Sequence, residues 1–142
     1  MGYTHYWTVT EPFTDEQWDR LCRASNIILA KSGIPVAFEC DDKRKPLVDH
    51  ELIRFNGVGE DGHETFLFSR APGAGCCKTA RKPYDALVVS ILSFAKKIAP
   101  DSIRVTSDGS FEELQASIRT IPGRDPKVAA ALGAILGLED VK

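Results

Sequence analysis

The chain has 142 residues, 43% hydrophobic and 27% charged, so it has room to bury a real core without cross-links. Its 18 Lys and Arg against 20 Asp and Glu leave a net charge of −2, which argues against a protein whose main work is gripping a nucleic-acid backbone. Four cysteines without CxxC spacing, no apolar run near 20 residues and no basic-then-apolar leader point to a reduced cytosolic protein with no zinc ribbon and no membrane span.

The first ten residues alternate aromatic and β-branched positions and predict a strand, with Tyr3, His5, Trp7 and Val9 on one face and Tyr6 with the threonines on the other. Such a strand can offer a stacking surface to a flat ligand or place its aromatics in the core. Thr14 and Gln17 form a capping box, and Phe13 with Trp18 a hydrophobic staple, so a helix is expected to run to about Lys31 and stop at Gly33. A strand is expected over 34–40, and DDKRKP at 41–46 reads as a solvated connection of mixed charge. The segment 50–69 then reads as two antiparallel strands around a Gly-rich turn at 57–62. Ile53 with Phe55, and Phe66 with Phe68, would face the core; Glu64 on that second face needs a cation, several donors or an exposed strand end.

Residues 73–98 form the stretch around which the chain is organised, a Gly-containing basic loop leading into the longest apolar helical pattern. The helix is expected to start at Lys82 or Pro83, with Asp85 in its first turn and Leu87, Val88, Ile91, Leu92, Phe94, Ala95 and Ile98 covering well over half its surface. Lys78, Arg81 and Lys82 crowd its N-terminus, and Gly73 and Gly75 would let loop amides curl around an anion. The P-loop pattern GxxxxGK[ST] is absent, so no nucleotide hydrolysis follows. A strand at IRVTS, an Asp108-Gly109 turn, a helix opened by Ser110 with Glu113, and a last helix capped by Asp125 with Pro126 complete the chain. The apolar stripe Val128, Leu132, Ile135 and Leu136 of that last helix needs a cover, either its own domain or a second copy in a homo-oligomer. The order predicts a single α+β domain, a mostly antiparallel sheet of about five strands packed against a central helix, with a helical C-terminus.

GYTHYW at 2–7, FNG at 55–57, ETF at 64–66 and CKTARKPYD at 77–85 together resemble a family of small proteins from tailed bacteriophages and prophages to which no reaction is assigned. The resemblance covers roughly the first two thirds of the chain, and Cys76 stands where that family often has Phe. It implies a protein acting in the host cytoplasm by binding something of the host.

The leading expectation is therefore a non-enzymatic protein that binds an anionic ligand, a phosphorylated nucleotide or nucleotide-derived immune signal, and so counters host defence. Lys78, Arg81 and Lys82 would neutralise phosphate, Thr79 would donate a hydrogen bond, and Tyr3, Tyr6, Trp7 or Tyr84 would stack on a base. His5, Asn56 and Glu64 complete the ligand-binding candidates. One alternative is an inhibitor that covers a host protein. The other is a cysteine-dependent enzyme with Cys77 as nucleophile and His5 or His63 as base. His5, His50 and His63 include no pair at i, i+4, so neither a metal nor any other cofactor is expected.

Overall fold

In the computed structural model, which describes residues 3–109, the alternation at the N-terminus becomes strand β1, Thr4–Val9. His5, Trp7 and Val9 are buried, and Tyr6 is 43% exposed on the opposite face. Helix α1 spans Asp15–Lys31 with the expected capping box, Thr14 accepting from the Gln17 N–H and Gln17 returning to the Thr14 N–H. Phe13 meets Trp18 edge to face at 5.5 Å, and Gly33 takes φ 79° beyond the helix end.

Two very short strands follow, β2 at Val36–Ala37 and β3 at Leu47–Val48. The strand expected over 34–40 thus shrinks to two residues, because the chain turns back through an isolated bridge between Glu39 and Asp42. The segment 41–46 is tied down rather than merely solvated: Asp42 pairs with Arg44, and the Arg44 and Arg54 guanidinium groups both lie on the Phe38 ring. β4, Leu52–Gly57, and β5, Phe66–Ser69, form the expected antiparallel pair around a 3-10 turn at Gly59–Asp61. β2 and β3 also pair with β4.

β6, Gly73–Lys78, occupies most of the stretch expected to be a flexible loop. Glycine and alanine carry little strand preference, so local sequence hides it. Its order comes from pairing with β1, in a register that sets Gly75 opposite Trp7 and Cys77 opposite His5. Trp7 lies over Gly75, where an added Cβ would come within 2.6 Å of the indole. Gly75→Ala should accordingly cost ~1–3 kcal/mol by overpacking, read from the shift of the urea midpoint.

Helix α2 spans Asp85–Ile98 and leads to β7, Ile103–Ser107, which pairs antiparallel with the other side of β1. Among the described residues seven strands thus form two antiparallel sheets, β6-β1-β7 and the group around β4, where one sheet of about five strands is expected. The architecture is α+β, with α1 packed on α2 and a shared core drawn from both sheets. α2 is buried almost all round, as its apolar coverage requires. Among the described residues no helix is long and apolar enough to cross a membrane. The two expected C-terminal helices and their apolar stripe lie outside the described residues.

Candidate functional site

α2 begins two to three residues later than its proline suggests. Ala80 and Arg81 both take positive φ, 52° and 59°, in a tight turn closed by Lys82 N–H to the Thr79 carbonyl at 3.0 Å. A second turn, with Pro83 at its favoured position, is closed by Asp85 N–H to the Lys82 carbonyl at 2.9 Å. These two turns consume amides that an anion would have used. The amides of Thr79 and Ala80 also donate, both to the Tyr3 carbonyl at 3.0 and 3.4 Å. Gly73 and Gly75 sit in β6, so the glycine-lined anion cradle is replaced by strand pairing.

The double turn drops Asp85 against β1. Its Oδ1 lies 2.6 Å from His5 Nε2 and accepts from the Thr79 hydroxyl at 2.5 Å, with all three residues buried. The other ring nitrogen, Nδ1, is 2.7 Å from Ser107 Oγ, because β7 sets Ser107 directly opposite His5 in the β1 register. Ser107 Oγ in turn accepts from the Gly109 N–H at 3.0 Å. The expected turn at 108–109 is held differently from a self-bonded aspartate: Asp108 Oδ2 accepts from the Thr4 N–H, and the Gly109 bond goes to Ser107.

Directions follow from this chain. An ionised carboxylate only accepts, so His5 Nε2 carries a proton, and with the imidazole neutral Nδ1 accepts from the Ser107 O–H. The row reads Gly109 N–H to Ser107, Ser107 O–H to His5, His5 N–H to Asp85, with Thr79 O–H as second donor to the carboxylate.

His5 and Ser107 both form part of the wall of a groove of about 370 Å³ between α2 and β7. Val89 and Leu92 of α2 and Val105 of β7 make its sides, and Lys97 stands at its rim. Asp85, Val89, Leu92 or Ser93, and Lys96 recur at helical spacing, so one stripe of α2 runs from the buried carboxylate to the lysines of its last turn. The Lys96 ammonium, also in the wall, donates to the carbonyls of Pro100 and Ile103 at 2.9 and 3.0 Å.

The remaining candidates scatter. Arg81 covers the buried Tyr3 ring at 4.2 Å, and Tyr3 meets His5 edge-on, so this turn adjoins the buried cluster. Lys78 ends β6, with its backbone clamped by Glu64: the carboxylate accepts the Lys78 N–H at 2.7 Å. Glu64 lies exposed before β5 begins, so it shares no core face with Phe66 and Phe68. Lys82 is half-buried. Trp7 packs on Phe66 and Phe68, and Tyr84 is buried with its hydroxyl on the Glu64 carbonyl; neither ring is open to a base. Of the four expected stacking aromatics only Tyr6 is exposed, on the face away from the groove. Asn56 is buried and saturated, its amide donating to the His63 carbonyl and Thr65 hydroxyl and its oxygen accepting from Gly57 and His63 N–H, so it braces the turn rather than meeting a ligand.

Cys77 does not suit the nucleophile expected of it. It is fully buried, donates to the Glu64 carbonyl, and burial pushes its thiol up to about 12, so it stays protonated at neutral pH. His5, its register partner, already has both ring nitrogens engaged, and His63 is exposed. Iodoacetamide at pH 7 should modify exposed Cys76 and leave Cys77 intact until denaturant is added, as peptide mapping would show. Among the described residues no group of His, Cys, Asp and Glu is placed to hold a metal.

Sequence reasoning missed Ser107, and it placed Asp85 only as a first-turn charge. No family model, curated protein or solved structure matches this chain.

Proposed function

We propose that the protein binds a small amphiphilic anion in the groove between α2 and β7. The observation that supports this reading is the wall of that groove, apolar along Val89, Leu92 and Val105, polar at Ser107 and His5, and cationic at Lys97. Apolar contact supplies most of the affinity at about 25 cal/mol per Å² buried. The exposed lysine adds only about 0–1 kcal/mol and mainly orients the head group. A volume of about 370 Å³ lies near the lower end of the roughly 300–1,000 Å³ typical of small-molecule sites, so a short-chain acid or a fragment of mononucleotide size fits better than a dinucleotide signal. On the phage resemblance the ligand would be a host molecule, and capturing it would withdraw it from host use or host defence.

Octanoate is a suitable probe. Isothermal titration of the full chain should show one site, and Ser93→Trp should abolish binding by filling the slot. Lys97→Glu should weaken it about fivefold, and both substitutions, at exposed positions, should alter stability by no more than ~0.5 kcal/mol. Binding that survives Ser93→Trp would refute the groove. A second reading rests on the consecutive positive φ angles at Ala80 and Arg81, since such strain gathers at functional turns. There the side chains of Lys78, Arg81 and Lys82, rather than the amides, would hold inorganic phosphate. Their joint replacement by Ala would remove phosphate binding and spare octanoate.

A further inference from the structure

We propose that Ser107 is a nucleophile, activated by His5, that hydrolyses carboxylic esters of short apolar acids; the inference rests on the groove being the ligand site. Three observations converge. Nucleophile, base and orienting carboxylate stand in hydrogen-bond contact, 2.7 Å from Ser107 Oγ to His5 Nδ1 and 2.6 Å from His5 Nε2 to Asp85 Oδ1. The donor directions derived above send the serine proton towards the imidazole, as general-base catalysis needs. The pair also opens onto a groove of substrate size: His5 is 1% exposed and Ser107 half-buried, so a reagent in the groove meets the hydroxyl first.

A purely structural Ser–His bond would need none of this access. The Gly109 amide, already 3.0 Å from Ser107 Oγ, is a backbone donor within reach of an oxyanion formed there. Its position depends on glycine, because a Cβ at 109 would come within 2.0 Å of the Tyr3 hydroxyl.

In the first step Ser107 Oγ bonds to the ester carbonyl carbon while its proton passes to His5 Nδ1. The bond from that carbon to the alcohol oxygen breaks, and the alcohol leaves with the proton from the imidazolium. Water then attacks the acyl-serine, giving its proton to His5, and Ser107 takes that proton back as the carboxylic acid departs. The sum is ester plus water to acid plus alcohol. The product carboxylate is itself a small amphiphilic anion, the class of ligand inferred for the groove. Asp85 and Thr79 act through His5 as positioning residues, fixing the tautomer that leaves Nδ1 free to accept.

The test uses the full chain with p-nitrophenyl butyrate as substrate and a short-chain alkyl fluorophosphonate as covalent probe. Intact mass should show one adduct with loss of fluoride, mapped to Ser107. Ser107→Ala and His5→Gln should each lower the hydrolysis rate at least about 100-fold. Asp85→Asn should lower kcat with KM unchanged when the rate is expressed per site titrated to completion by the fluorophosphonate, a normalisation that removes any unfolded fraction. No adduct at Ser107, or hydrolysis undiminished in Ser107→Ala, overturns the esterase even while wild-type protein still binds octanoate, and leaves the groove standing. Failure of wild-type protein both to bind octanoate and to form the adduct overturns the two together.

Discussion

Ile91→Asp is expected to yield an unfolded chain. Ile91 is fully buried at the centre of α2 among core residues from both sheets. The substitution forfeits ~1.5–3 kcal/mol of apolar burial and places a carboxylate within the apolar core cluster, a further penalty of several kcal/mol whether it stays ionised or takes up a proton. Domains of this size hold about 5–15 kcal/mol in total, so little or no stability remains. Circular dichroism and amide dispersion should both report loss of structure; a cooperative melt near wild type would mean that α2 does not occupy the centre of the core.

The second large effect is expected at Asp85. Asp85→Ala removes the acceptor shared by His5 Nε2 and the Thr79 hydroxyl, both buried, and each orphaned donor costs ~1–3 kcal/mol. The expected loss is therefore ~2–6 kcal/mol in urea unfolding. Asp85→Asn retains an oxygen that accepts from both and should lose clearly less. Equal losses in the two variants would show that the negative charge, rather than the acceptor, holds His5. Equal stability of Asp85→Ala and wild type would show that the buried contact contributes nothing.

Local signals were enough for much of the frame. The Thr14 to Gln17 box, the Phe13 to Trp18 staple and Gly33 place α1 to the residue, because capping chemistry is written in neighbours three and four positions apart. The apolar density of 87–98 identifies the central helix, and the alternation at Ile53, Phe55, Phe66 and Phe68 identifies the β4/β5 pair. What failed was everything decided at long range. β6 has no strand composition and exists because β1 pairs with it, and β3 is too short to carry a period.

The candidate site was hidden for the same reason. His5, Thr79 and Asp85 fall within two of the sequence motifs, GYTHYW and CKTARKPYD, yet nothing in either motif says that they meet. The His5 to Ser107 bond depends on the β1/β7 register, and IRVTS by itself reads only as a strand. Basic residues make the turn at 78–82 look like an anion site in the sequence, whereas its amides close turns and pair with β1. A histidine alternating with core aromatics was the one available clue, because a buried imidazole must find partners for both nitrogens.

The claim that the groove between α2 and β7 is the ligand site is tested most directly by titrating octanoate into uniformly labelled full-length protein and following the amide spectrum. Saturable shifts are expected, centred on Val89, Leu92, Ser93, Lys97, Val105 and Ser107, with His5 ring signals moving in step. Shifts confined to Lys78–Lys82, or no saturable shift at those groove residues, would contradict it.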